Sequence, residues 1–178
     1  MSATETIVLA GGCFWCTEAV FDRVRGVLDV ESGYCNGQLP APTYEAVCTG
    51  TTGHAEAVRL VYDPDTIGLR QLLEIFFATH DPTTPNRQGH DVGTQYRSGI
   101  YWTEAAQEPV ARALIAELEA EGAFGAPIVT EVAPLHNYHP AEDYHQDFFA
   151  RHPGHGYCLA VAAPKVAKLQ RVFTDWVK

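Results

Sequence analysis

Apolar and polar positions divide the chain into short segments with two different periods. The run Ile7-Val8-Leu9-Ala10 predicts a strand at Thr6–Ala10. Ala19, Val20, Phe21 and Val24 form a stripe that predicts a helix from Cys13 to Val24, ended by Gly26. Val27–Tyr34 reads as a second strand, Asn36-Gly37 and Pro40-Ala41-Pro42-Thr43 as a loop, and His54–Tyr62 as a strand closed by Asp63-Pro64-Asp65. Leu69, Leu72, Leu73, Phe76 and Phe77 recur at helical spacing over Leu69–Thr79. Asp81–Arg97 is rich in Pro, Gly, Asn, Thr and Asp and keeps no period, so it is expected to be a long loop, and such loops inside compact domains are usually functional. Beyond it the pattern predicts a strand at Ser98–Trp102, a helix at Glu104–Glu121, a strand at Ile128–Val132 and a helix opened by Pro140 and running to Arg151. A last strand is expected at Tyr157–Val161 and a final helix at Pro164–Val177. Helices and strands that mix without strict alternation indicate an α+β fold with a mixed sheet, and 178 residues suit one domain spanning 1–178.

Charge narrows the partners. Twelve basic against 22 acidic residues give a formal charge of −10, which argues against nucleic acid or an anionic membrane. No basic flank precedes an apolar stretch at the N-terminus and no apolar run reaches membrane-spanning length, so a soluble cytoplasmic protein is expected. Five cysteines, an odd number, fit thiol chemistry in a reducing compartment better than a disulfide framework.

Among those cysteines Cys13 stands apart, because Gly11-Gly12-Cys13-Phe14-Trp15-Cys16 places it where a strand turns into a helix. Free N–H groups and the helix dipole there favour thiolate over thiol, so Cys13 is expected to be acidic and nucleophilic. Most buried thiols are inert, but the helix-start position, the aromatic pair Phe14-Trp15 and the nearby Cys16 weigh toward chemistry. Glu56 is the second candidate. Alternation puts it with His54, Val58, Leu60 and Tyr62 on one strand face, and burial of that face would raise its pKa and keep a proton available near neutrality. The competing reading is a glutamate reaching solvent from a strand end. Asp91, Gln95, Tyr96 and Arg97 lie between glycines in the long loop, where polar and aromatic groups often bind ligand, and Tyr44 shares that ambiguity. His136, His139, His145, His152 and His155 cluster near Cys158, but their irregular spacing and the absence of a second CxxC partner for Cys13-x2-Cys16 favour hydrogen-bonded or solvated histidines over a metal site.

The chain resembles the methionine sulfoxide reductase A family, the peptide methionine-S-sulfoxide reductases. The resemblance rests on Gly11-Gly12-Cys13-Phe14-Trp15, Gly33-Tyr34 with Gly37, Pro42-Thr43-Tyr44-Glu45, Thr52-Gly53-His54-Ala55-Glu56-Ala57-Val58, Asp91-Val92-Gly93-Thr94-Gln95-Tyr96-Arg97-Ser98 and Ala141-Glu142-Asp143-Tyr144-His145-Gln146-Asp147, in the family's order. It implies a two-layer α/β sandwich with a central mixed sheet and a ferredoxin-like core. It implies Cys13 as nucleophile, Glu56 as the acid that protonates the sulfoxide oxygen, and Tyr44 and Tyr96 as donors to that oxygen. Phe14 and Trp15 would hold the S-methyl group and Asp91 would orient the substrate, methionine sulfoxide free or in proteins. No metal or organic cofactor is implied, only an external dithiol such as thioredoxin, and a monomer is expected. The Cys13 sulfenic acid would pass to a resolving thiol, with Cys158 expected first and Cys16 and Cys35 as alternatives, while Cys48 reads as a small core residue. Two rival readings stay open: a CxxC thiol–disulfide oxidoreductase, and a zinc-binding or redox-sensing module.

Overall fold

The computed structural model describes residues 3–152 and 154–178. Strand β1 (Glu5–Gly11) turns into helix α1 (Phe14–Phe21), followed by β2 (Val27–Cys35), the short helix α2 (Tyr44–Cys48), β3 (Ala55–Tyr62) and α3 (Leu69–Ala78). Two-residue strands β4 (Arg87–Gln88) and β5 (Asp91–Val92) form a small hairpin before β6 (Ser98–Trp102). Helix α4 (Gln107–Ala120), β7 (Glu131–Pro134), β8 (His139–Pro140), the one-turn α5 (Phe148–Arg151) and α6 (Ala163–Val172) complete the chain.

The main sheet has six strands in the order β7-β6-β1-β3-β2-β8, antiparallel except for the β6–β7 pair. Its central four strands, with α1 after β1 and α3 after β3, form the split βαββαβ arrangement in the order β6-β1-β3-β2, which is the ferredoxin-like core. Alternation along β3 decides the layers. Glu56, Val58, Leu60 and Tyr62 face the helices and the larger core, where Ile7, Leu9, Phe14, Phe21 and Phe76 are buried. Ala55 and Ala57 face the other way, into a smaller cluster with Val8, Ala10, Cys35 and Tyr101 that Leu135 and Tyr138 cover. Burying one Phe or Leu in such a core stabilises by roughly 1.5–3 kcal/mol, so a one-residue slip of β3 would forfeit several such contributions and expose the apolar face.

Three expected elements differ. The segment expected as a final strand, Tyr157–Val161, is helical: a π-helical turn at Cys158–Ala162 runs directly into α6. Cys158, Ala162, Val166 and Leu169 are buried and Leu159 is exposed, a spacing of about four that puts one helical face on the core. The expected helix from Pro140 to Arg151 is broken. Pro140 pairs with Gly33 at the sheet edge, and the Ala141 N–H donates to the Ser32 carbonyl at 2.8 Å. The Gln146 side chain then occupies the Ser32 backbone, accepting its N–H and donating to its carbonyl, both at 2.9 Å. Those sheet-like bonds compete with helix, and only a 3₁₀ turn at Asp143–His145 and the single turn of α5 remain. The strand expected at Ile128–Val132 lies at Glu131–Pro134 instead, where it pairs with β6. No helix among the described residues is long and apolar enough to cross a membrane.

Candidate active site

The site forms where β1 delivers the chain to α1. Gly12 holds φ +96, and a Cβ there would lie 2.6 Å from Gln88 Cγ, so only glycine makes this turn without strain. Cys13 follows as the N-cap residue of α1, and its carbonyl accepts the Cys16 N–H at 3.1 Å. The N–H of Phe14 does not serve the thiol; it donates to Glu56 Oε1 at 3.2 Å.

Glu56 is 1% exposed, and its second oxygen, Oε2, is buried without a hydrogen-bond partner. Burial pushes its pKa up to about 8, against the opposing Phe14 N–H, with the nearby charges of Asp91 and Cys16 adding to the rise. The carboxyl is therefore largely protonated at neutral pH. Cys13 departs from expectation. Burial, a hydrogen bond with the Cys16 thiol and the Glu56 charge hold the Cys13 thiol well above the usual range, outweighing the Trp15 N–H. Helix-start position predicted an acidic thiol; desolvation wins because the thiol is 9% exposed and one helix N–H is spent on Glu56. Cys16, one turn on, is shifted down, first by the hydrogen bond from Cys13 and then, against burial, by the Lys165 charge.

Two tyrosines lie close enough for the charge of this carboxyl to act on them. Tyr44 opens α2, which Thr43 caps by accepting the Ala46 N–H at 3.2 Å. Its backbone N–H donates to Glu142 Oε2 at 2.9 Å, while Glu142 Oε1 accepts the Tyr34 hydroxyl at 2.8 Å. Tyr96 lies in a 3₁₀ turn that Thr94 and Gln95 tie to α2, donating to the carbonyls of Gly50 at 3.2 Å and Cys48 at 3.5 Å. Burial first, then neighbouring charge that includes Glu56, keeps both phenols protonated far above neutral pH.

Aromatic rings pack beside them. Phe14 is buried against Tyr34 and His145, with ring centroids at 5.6 and 5.0 Å. Trp15 stacks on Phe148 at 3.8 Å and donates its indole N–H to His145 Nδ1 at 3.0 Å. Asp91, in β5, accepts the Tyr157 hydroxyl at 2.5 Å, and that hydroxyl also lies 3.8 Å from the Cys16 sulfur.

Cys13, Cys16, Glu56, Tyr44, Tyr96, Phe14, Trp15 and Asp91 thus surround one place. Cys158 is buried in the helical turn beside α1, and the Cys16 charge reaches it. Cys35 does not join them: it points into the small cluster on the opposite sheet face. Cys48 is exposed at the end of α2 and hydrogen-bonded to Tyr44, so it is not the small core residue expected. Sequence reasoning also missed Tyr34, Glu142 and the place of His145, although Glu142 and His145 lie in a segment that carried the family resemblance. Among the described residues no group of three or more His, Cys, Asp and Glu side chains is placed to hold a metal ion.

Residues 5–176 match the family described as peptide methionine sulfoxide reductase. The peptide methionine sulfoxide reductase MsrA of Deinococcus radiodurans is 55% identical over 174 residues, covering 98% of this chain and 84% of that protein. Mxr1 of Saccharomyces cerevisiae in its reduced form superposes with a TM-score of 0.79 at 37% identity, covering 85% of this chain and 87% of that one. The yeast protein in complex with Trx2 superposes less closely, with a TM-score of 0.56 at 27% identity over 82% of this chain and 84% of that one. A family match over nearly the whole chain, on a site that joins a thiol, a buried carboxyl and two phenols, leaves one conclusion: the chain belongs to the peptide methionine sulfoxide reductase family.

Proposed function

We propose that this protein, as a member of that family, reduces the S epimer of methionine sulfoxide, free or in proteins, by nucleophilic attack of Cys13 on sulfur while Glu56 protonates the departing oxygen. The observation that carries this reading is Glu56 Oε2, a buried and protonated carboxyl oxygen without an acceptor, beside a thiol. A sulfoxide oxygen supplies that acceptor. As the S–O bond weakens, charge gathers on oxygen, and the Tyr44 and Tyr96 hydroxyls donate to it more strongly in the transition state than before. General acid assistance of this kind is worth about 10²–10⁴ in rate. Phe14 and Trp15 receive the methyl group on the side away from these donors, so one epimer seats both halves of its sulfoxide and the other misplaces one. Asp91 orients the substrate.

As the Cys13 sulfur bonds to the sulfoxide sulfur, Glu56 gives its proton to the oxygen and the Cys13 thiol proton passes to the carboxylate so formed; the hydroxyl is transferred to Cys13, the S–O bond to the substrate breaks, and methionine leaves a Cys13 sulfenic acid. Attack by a second thiolate on that sulfur releases water and forms a disulfide. Cys16 is the thiol we assign to this step, because it is already hydrogen-bonded to Cys13 and is the more acidic of the pair. Cys158, near enough for the Cys16 charge to raise its pKa, can take over the disulfide by exchange. An external dithiol of the thioredoxin kind then restores the thiols, in keeping with the Trx2 complex of the yeast protein.

A single-turnover assay with each epimer of a methionine sulfoxide peptide and no external reductant tests the reading. Methionine from the S epimer alone, abolished in Cys13→Ser and accompanied by a disulfide that includes Cys16, is the expected result. Disulfide turnover without sulfoxide reduction would favour a CxxC oxidoreductase instead, and a first disulfide joining Cys13 to Cys158 in one step would move the resolving role.

A further inference from the structure

His145 has no part in the chemistry above, yet it is enclosed by the aromatic wall. It is fully buried, with ring centroids at 4.4 Å from Tyr44, 5.0 Å from Phe14, 5.7 Å from Trp15 and 4.1 Å from Tyr144. Its Nδ1 accepts the Trp15 indole N–H at 3.0 Å. A nitrogen that accepts carries no hydrogen, so the ring proton is on Nε2. That Nε2 is buried and has no hydrogen-bond partner. Leaving a buried donor unpaired is unfavourable, so the fold retains this tautomer against a cost. Burial also disfavours the imidazolium, although Glu142 and Glu45 pull the other way, and the neutral ring is the only state that can accept from Trp15.

Trp15 needs that acceptor. Its other ring contacts among the described residues are Phe148, stacked at 3.8 Å with an interplanar angle of 6°, and the edges of His155 at 5.8 Å and Tyr157 at 5.9 Å. A stack fixes the plane of the indole but lets it slide and rotate within that plane. The hydrogen bond to His145 fixes where along the plane the ring stops.

We propose that His145 is a positioning residue for the reaction: through its Nδ1 it sets the placement of the Trp15 indole, and with it the methyl side of the sulfoxide pocket on which discrimination between epimers depends. The proposal rests on Trp15 forming that methyl wall. It makes no claim that His145 touches the sulfoxide.

The test uses variants of the whole chain. His145→Leu keeps apolar volume and removes the acceptor. His145→Asn keeps a carbonyl oxygen near the place of Nδ1 and removes Nε2. The chain has three tryptophans, so three indole N–H resonances are expected in a ¹⁵N correlation spectrum, and Trp15→Phe identifies the one that belongs to Trp15. His145→Leu is expected to shift that resonance, lower kcat/KM for the S epimer about tenfold, as the loss of one orienting hydrogen bond would, and narrow the preference for S over R. His145→Asn is expected to restore both the resonance and the preference. In a Trp15→Phe background His145→Leu is expected to add little further loss. The proposal is overturned if His145→Leu acts equally with and without Trp15, if Asn fails to restore the preference, or if the resonance stays unmoved while activity falls. Trp15→Phe with unchanged epimer preference would instead remove the methyl-wall reading beneath it, which separates the two failures.

Discussion

Replacing Glu56 by Gln removes the ionisable proton while keeping the shape of the side chain and an Oε1 that can accept the Phe14 N–H. The native carboxyl moves from an ordinary 4.5 to about 8 on folding, chiefly because it is buried. Folded protein therefore holds a proton that unfolded protein has released over this whole range. Stability is unaffected below the unfolded value, falls as pH rises from there, and levels off above the folded value. At 1.36 kcal/mol per pKa unit, the loss amounts to about 3 kcal/mol at pH 7 and about 5 kcal/mol above pH 8. Glu56→Gln is free of that loss. Urea unfolding of the two proteins at pH 5, 7 and 8.5 is expected to give a stability difference that moves in favour of the variant by a few kcal/mol from the first pH to the last. The slope with pH carries the inference, because any fixed difference in packing cancels. In single-turnover sulfoxide reduction the same variant is expected to be slower by about 10²–10⁴ at neutral pH, and the wild-type rate is expected to lose its Glu56-dependent part as pH rises through about 8. A stability difference that stays constant with pH would refute a protonated Glu56, and with it the source of the proton.

Three other substitutions probe the frame around the site. Gly12→Ala places a Cβ at a left-handed backbone position against Gln88, and is expected to lower the unfolding free energy by about 1–3 kcal/mol and slow turnover, by urea unfolding and steady-state assay. Glu142→Ala leaves the buried Tyr34 hydroxyl and the Tyr44 N–H without their acceptor, so a loss of about 1–3 kcal/mol in stability is expected together with a lower kcat/KM. Cys35→Ala is expected to leave methionine yield unchanged in a single turnover, because its thiol lies across the sheet from Cys13; a missing disulfide in this variant would contradict that topology.

How far the site was legible depended on whether local pattern or tertiary contact decides each part. Period-two alternation placed Glu56 on the Val58 and Leu60 face, and that face lies against the larger core. The strand–Gly-Gly–helix order put Cys13 at a helix start, where it is found. Free N–H groups and the helix dipole predict an acidic thiol there, whereas burial and the diversion of the Phe14 N–H to Glu56, both set by contacts distant in sequence, decide the opposite. Pro140 looked like a helix opener, but Gln146 bonding the Ser32 backbone holds the segment to the sheet edge, a contact 114 residues apart in sequence. The apolar run after Tyr157 fits strand or helix by composition, and the core it meets selects helix. Spacing groups His145 with four other histidines as hydrogen-bonded or solvated and does not say which of the five the fold buries.

The most direct test of the account is to trap the oxidised sulfur. In Cys16→Ser/Cys158→Ser, one equivalent of S-sulfoxide peptide without reductant, quenched into a sulfenic-acid-specific dione and digested for mass spectrometry, is expected to yield one methionine per chain and a single adduct on the peptide bearing Cys13. Methionine formed with no adduct on Cys13, or an adduct on another cysteine, would contradict it.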